Sequence, residues 1–444
     1  MDGYNLVSLA GVFVLMAIAW GLSAHPRRMN WRCIGSGVAI QLLFGLLVFR
    51  APGSRELFLW LNDLVASLLG AATAGQKFLF GPLAEMGTLE GAFGAGKGFV
   101  LAIQALPVII FFAALMGLLY YWRVMPAVIG AFAWVFSRLM RVSGAESLCA
   151  ASNIFVGVES ATTVRPYLAR MTRSELCTVL TAGMATIASS VLFMYAGFLR
   201  EVFPTAAGHL ISASILSAPA ALVTSKILLP ETLAPVTLGE RVSPEYSQET
   251  GAVEAVVNGS MAGVKLVVGI CALLVALLGL MALANLLVGR LGEGCEVAVG
   301  GAGDLLGRSW AVDFQWSLER LLGYVMWPFA VLIGVPPADA HAAGQMLGER
   351  LIVTELPAYV HLGEAIEAGT FAHPRSPVVV AYALCGFAHV ASLAIFVGGI
   401  AALVPDRRRD LAAVGPRALL AATLACLMTG AVAGVFYHQA QTIL

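Results

Sequence analysis

The feature that most constrains this 444-residue chain is a series of long apolar runs with no charge at their centres. A helix needs roughly 20 such residues to cross a bilayer. About eight runs meet that length, near 5–23, 33–50, 98–121, 174–198, 204–230, 260–290, 374–404 and 415–437. The short, evenly spaced alternating segments of an outer-membrane barrel are not visible. The expected class is therefore an all-α polytopic membrane protein. Composition agrees: 59% of residues are hydrophobic and only 12% charged, against roughly 25% charged in soluble domains. The 26 basic and 26 acidic residues cancel. Together these values exclude a soluble enzyme, a disordered chain and an electrostatic binder of nucleic acid. The seven cysteines are scattered, with no CxxC pair, so neither a disulfide framework nor a zinc site is readable. The first run is long enough to span and has no basic residue before it, which argues against a cleavable signal.

Orientation follows from the basic loops. Arg27, Arg28 and Arg32 follow the first run, and Arg407, Arg408, Arg409 and Arg417 lie at the start of the last. Both places should be cytoplasmic, which puts both termini outside. The basic stretch 122–173 then falls inside and 291–373 outside. Trp122 and Trp134 fit an interfacial belt, 124–141 reads as an amphipathic surface helix, and Pro107 should kink the third span.

Two regions, 144–172 and 337–368, are too short and too polar at their centres to cross. Each splits into two half-length segments around Gly157–Ser160 or Thr354–Pro357. They read as re-entrant hairpins, entering from opposite sides. Backbone opened at membrane depth is tolerated only where it is buried or lines a cavity. Each hairpin precedes a span with the pattern G-x-A-polar-[IV]-A-S, at Gly183–Ser189 and Gly386–Ser392. Small residues are common in membrane helices, but the repeated order points to an inverted repeat. In secondary transporters such repeats hold substrate and ions near the midplane.

The few polar residues at that depth become the candidates. Glu159 and Glu355 lie one at each hairpin centre, where a carboxylate normally marks a substrate or ion path; misplaced boundaries exposing them to water are the bland alternative. Asn153, with the Val156 carbonyl and the Thr186 hydroxyl, offers oxygens that suit sodium, although a buried asparagine also bonds between helices. His389 stands three residues before Ser392, on the same helical face. It reads as a substrate contact or as an interhelical donor, and because histidine changes charge near neutral pH, proton coupling stays open. Ser143 and Glu146 form an S-x-x-E helix start, and Arg165 reads as an interfacial anchor. No HExxH, GxSxG or Walker loop is present, so no enzyme or ATP-driven chemistry is indicated.

In order along 98–437, the segments LPVIIFFAALMGLLYY (106–121), SGAESLCAASNIFVG (143–157), RPYLARMTRSEL (165–176), GMATIASSV (183–191), SAPAAL (217–222) and YALCGFA (382–388) resemble the concentrative nucleoside transporter family. The resemblance implies eight spans, two opposed hairpins and a homotrimer with contacts along 260–290. It also implies nucleoside uptake, without a cofactor, driven by a sodium or proton gradient, with the hairpins moving against the trimer scaffold. It places a sodium site at Asn153, Val156, Thr186 and Ile187. The base side would be Gly157, Glu159 and Val191, with Val158 counted beside them. The ribose side would be Glu355, Phe387, His389 and Ser392. Departures are clear: Val158-Glu159-Ser160-Ala161-Thr162 replaces Gln-Thr-Glu-Ala-Pro, one residue shorter. Thr354-Glu355-Leu356 replaces Asn-Glu-Phe, and His389 replaces an asparagine. Fold and coupling should therefore transfer better than substrate preference. The expected protein is an inner-membrane sodium–nucleoside symporter. Residues 1–97 would form N-terminal spans and an external segment, and 98–437 the transporter core. Its partners would be a nucleoside-like substrate, a coupling cation and the bilayer, with no nucleic acid. Proton coupling, another polar metabolite, a channel and an intramembrane enzyme are the competitors.

Overall fold

The structure, a computed structural model, describes residues 3–94, 98–240, 242, 249–305 and 316–438, without the side chains at 55, 158, 159 and 293–305. Its described residues form helices joined by short turns, with one isolated bridge between Ser143 and Leu238. The chain begins with α1 (Gly3–Gly21) and α2 (Trp31–Arg50), the latter capped by Asn30 Oδ1 accepting from Cys33 N at 3.1 Å. Then come α3 (Ser54–Phe80), α4 (Met86–Phe93), α5 (Leu101–Gln104) and α6 (Val108–Tyr121). Pro107 stands at the joint between α5 and α6, where its missing N–H costs no ladder bond. The amphipathic α7 (Val124–Met140) buries Met125, Ile129, Ala133, Phe136 and Met140 and leaves Trp134 exposed.

The first hairpin is α8 (Gly144–Asn153), a 3-10 segment over Val158–Val164 and the single turn α9 (Arg165–Leu168). It leads to α10 (Arg173–Ala185) and α11 (Ser189–Leu199), then α12 (Ala206–Leu228) and the long α13 (Ala252–Leu305). After α14 (Leu318–Leu332), the second hairpin is α15 (Ala340–Ile352) and α16 (Glu355–Glu367). It leads to α17 (Arg375–Leu384) and α18 (Val390–Leu403), and the chain closes with α19 (Arg408–Phe436). Two opposed hairpins, each followed by an interrupted span, make the inverted repeat concrete.

Three expectations need correction. The runs 174–198 and 374–404 are not continuous helices. Each breaks at its small-residue motif, between Ala185 and Ser189 and between Leu384 and Val390. Apolar length shows that a segment can cross; it does not show that its backbone stays helical. Second, 51–97 is no plain external segment: α3 alone has 27 residues, and 56–93 is long and apolar enough to span. Its Asn62, Asp63, Gln76 and Lys77 hid it from the search for uncharged runs. Yet α3 meets the same rim of the bundle along its length. Phe58 sits against Gly208 at the start of α12, and Leu69 against Gly197 near the end of α11. Ala72 joins Val108 and Phe112 at the start of α6, and Gln76 donates to Gln104 O at 3.4 Å. The helix therefore packs against the ends of α6, α11 and α12. Third, α13 runs for 54 residues. At 1.5 Å per residue it is ~80 Å long, so only part of it can lie in the bilayer.

Burial divides the spans into centre and periphery. In the most apolar 18-residue stretches of Arg173–Leu199, Ala206–Leu228 and Pro405–Phe436, 83–89% of residues are buried, against 11% in that of Ala252–Gly292. The peripheral α13 docks on α6 through small residues: a side chain on Gly117 would meet Ala255 O, and one on Gly259 would meet Ala113 O. Further along, it exposes Leu280, Leu283, Leu286, Leu287 and Leu291.

Candidate functional site

Both hairpin tips and both helix breaks converge on a cavity of about 680 Å³, roofed by α6 and α13. That volume falls within the ~300–1,000 Å³ of small-molecule sites. Gly157, Val191, Glu355, Phe387, His389 and Ser392 all line it, as does Val156. Asn153, Thr186 and Ile187 are buried just behind the tip and the break rather than on the wall. The side chains of Val158 and Glu159 lie outside the described residues; their backbone belongs to the 3-10 segment.

Glu355 is the first residue of α16, behind Thr354, whose Oγ1 accepts from Leu356 N at 3.4 Å. An anion at a helix N-terminus is favoured by the free N–H groups there. The Tyr195 hydroxyl donates to Glu355 Oε1, and His389 Nε2 stands 3.3 Å from Oε2. The carboxylate is only 4% exposed. Tyr195 is itself fixed by stacking on Tyr359, with ring centroids 4.6 Å apart and 22° between planes.

The orientation of His389 follows from the second break. His389 is the N-cap of α18: its Nδ1 accepts from Ser392 N at 3.1 Å, while Ser392 Oγ accepts from His389 N at 3.3 Å. A ring nitrogen that accepts carries no proton, so the ring proton lies on Nε2, the nitrogen 3.3 Å from Glu355 Oε2. Ser392 Oγ also donates to the Phe387 carbonyl. The serine expected to touch substrate thus first closes a capping box that aims the histidine.

The first break differs. Ser189 N donates to Phe155 O at 3.0 Å, and Ser214 Oγ donates to Ile154 O at 2.9 Å, tying the first tip to α11 and α12. Asn153 Nδ2 donates to Cys149 O at 3.0 Å, and Thr186 Oγ1 donates to Ala182 O at 2.9 Å. With their protons committed, Asn153 Oδ1 and Thr186 Oγ1 present lone pairs. Ser160 Oγ occupies one on Asn153, at 2.8 Å. An all-oxygen donor set suits a hard cation such as sodium, and the adjacent C-terminal end of α10 favours positive charge. Among the described residues no cluster of His, Cys, Asp or Glu could hold a transition metal.

Sequence reasoning missed Tyr195 and Lys265, which also line the cavity. Tyr195 was within reach: it lies four residues after Val191, on the same face of one helix, as a lone hydroxyl in an apolar run.

Opposed hairpins, interrupted spans and a largely apolar cavity with a few polar groups where they meet define a secondary-transporter architecture. The comparisons sharpen this. Family models match the chain as "Na+ dependent nucleoside transporter N-terminus" over residues 10–83 and "Nucleoside recognition" over 102–201. A third, "Na+ dependent nucleoside transporter C-terminus", matches 209–434. The nucleoside permease NupC of Helicobacter pylori is 34% identical across 97% of this chain and 98% of its own. Solute carrier family 28 member 3 of Mus musculus is 34% identical across 97% of this chain, which spans 59% of that longer protein. The solved structure of CNTnw in an inward-facing substrate-bound state superposes with a TM-score of 0.83 at 33% identity, covering 98% of each chain. The chain belongs to the concentrative nucleoside transporter family.

Proposed function

We propose that this protein is a sodium-driven symporter that imports a nucleoside or a modified nucleoside across a cell inner membrane. The observation that carries the substrate reading is Glu355: a buried carboxylate at a helix N-terminus, on the cavity wall, accepting from Tyr195 on Oε1 and keeping Oε2, 3.3 Å from His389 Nε2, without a hydrogen bond among the described residues. Such an acceptor fits the hydroxyls of a sugar. Phe387 and Val191 supply apolar surface for a flat ring beside it, with Gly157, Val158 and Glu159 on the first hairpin as the base side. Asn153, Val156, Thr186 and Ile187 would hold the sodium ion. The support for sodium is the oxygen donor set at the end of α10 together with the sodium-dependent family models. A proton-coupled version is favoured by one feature, the 3.3 Å approach of His389 to Glu355.

Residues 98–437 would be the transporter core, with both hairpins moving against a scaffold that includes α13. The exposed leucines of α13 suit burial between three copies, and both termini would face outside. The deciding experiment is uptake of a labelled nucleoside panel into proteoliposomes, with sodium and pH gradients imposed separately. Accumulation should follow sodium. Glu355→Gln should weaken substrate binding about 10–100-fold, matching the ~1.5–3 kcal/mol of a hydrogen bond to a charged group. Unimpaired uptake by that variant would remove Glu355 from the site, and accumulation driven by pH alone would replace sodium with protons.

A further inference from the structure

Arg350 is the largest fully buried side chain described, with no exposed surface, and it sits on the last turn of α15, four residues before Thr354. Its Nη1 donates to Ala383 O, next to the end of α17. Its Nε and Nη2 find no hydrogen-bond partner among the described residues. The Cys426 thiol interacts with the guanidinium, but a thiol is a weak acceptor. No carboxylate is paired with Arg350 among the described residues. A buried cation left this way is costly unless something else supplies negative potential.

Two helix ends supply it. Cys426 Sγ lies 3.7 Å from Ala185 O, the last residue of α10, and 3.7 Å from Cys385 O, just past α17. A side chain on Gly386 would stand 2.9 Å from Ala185 O. The C-terminal ends of α10 and α17 therefore meet. Each carries roughly −0.5 of a charge, so their sum is roughly −1. The two ends are served differently. Oxygens beyond α10, at Thr186 and Ile187, belong to the candidate sodium site. The carbonyls ending α17 are taken by the second hairpin itself: Ala383 O by Arg350 and Ala381 O by the Tyr359 hydroxyl at 2.9 Å.

We propose that Arg350 is a tethered cation. It does for α17 and the second hairpin what the mobile sodium does for α10 and the first. One cation place is permanently filled, so the cycle takes one sodium ion per substrate, and only the first hairpin waits for an ion. This inference rests on the sodium reading above.

The test counts bound ²²Na⁺ per protomer on purified protein at saturation, without nucleoside. Wild type and Arg350→Lys should bind one, and Arg350→Gln, folded and monodisperse, should bind two. Two ions in wild type, or one in folded Arg350→Gln, would overturn the tethered-cation role while leaving sodium coupling intact. No binding in wild type would sink the sodium reading and this inference with it. Should Arg350→Gln fail to fold, Arg350→Lys decides. A folded lysine variant binding one ion upholds the requirement for charge. A lysine variant that fails to fold would show that guanidinium geometry, not charge, is what the site needs, and would overturn the proposal.

Discussion

The two hairpins occupy matching places in the repeat but are built from different material. The second turns back into a regular 13-residue helix that starts on Glu355 and is capped by Thr354. The first turns back into a 3-10 segment and a single α-turn, and the Ser160 hydroxyl reaches back to Asn153. A 3-10 stretch has poorer hydrogen-bond geometry than an α-helix, so the first hairpin draws less of its order from its own backbone. Their bases differ as well. At the first, the buried Lys226 ammonium pairs with Glu146 and donates to Ser174 Oγ at 2.9 Å, joining α8, α10 and α12. At the second, Asp339 accepts from Ala372 N at 2.8 Å, His373 N at 3.0 Å and Ser376 Oγ at 2.6 Å. One hairpin is anchored by a buried ion pair, the other by one carboxylate collecting three donors. The lesson is that inverted symmetry fixes where anchors are needed, not which chemistry supplies them.

The largest effect that could break this comparison is expected at Lys226. Lys226→Met leaves Glu146 charged and buried without its partner. Removing one member of a buried pair costs about 3–5 kcal/mol, so the variant should lose thermal stability or fail to accumulate. Asp339→Asn keeps the oxygen that serves His373 N and Ser376 Oγ but turns an NH2 toward Ala372 N, losing that bond and the charge assistance; it should cost about half as much. Equal losses in a thermal-shift measurement would show that both anchors work the same way.

Much of the site could be read from the sequence because charge at membrane depth is rare. Glu355 and His389 stood out in apolar surroundings, and they do meet. The S-x-x-E signal at Ser143 correctly marked a helix start, yet the same Glu146 is also the partner of Lys226, a lone cation inside 204–230 that drew no notice. Hydropathy could not show the breaks after Ala185 and Leu384, because residues that end a helix there are as apolar as those that continue one. Nor could it show that Ser392 closes a capping box on His389, which depends on the chain leaving the helix at residue 385. Helix α3 escaped for the opposite reason: its Asn62, Asp63, Gln76 and Lys77 interrupt an otherwise apolar run.

The breaks allow a finer comparison. A Cβ on Gly386 would stand 2.5 Å from Cys426 Sγ and 2.9 Å from Ala185 O. The second of these is backbone and cannot rotate away. Gly386→Ala should therefore cost about 1–3 kcal/mol, as overpacked cores do. A Cβ on Gly183 would meet the ring of Phe396, at 2.2 Å. A side chain can turn, so Gly183→Ala should fall at the low end, about 1 kcal/mol. If Gly183→Ala proved the more damaging in a thermal melt, the ends of α10 and α17 would not be the tightest junction in the repeat.

The smallest effect separates the ion-dependent tip from the preformed one. Thr186→Val keeps the volume of the side chain but removes the oxygen offered to a cation and the bond to Ala182 O at 2.9 Å. A loss of about 1 kcal/mol in ion binding corresponds to roughly a fivefold higher sodium concentration for half-maximal uptake. Thr186→Ser retains the oxygen and should stay near wild type. Thr354→Val, at the second tip, removes an N-cap oxygen and should cost about 1 kcal/mol of stability, with its sodium dependence unchanged. Sodium titrations of the three variants would decide the matter. A shift in Thr354→Val as large as that in Thr186→Val would mean that both tips sense the ion, and the division between a waiting hairpin and a prepared one would fall.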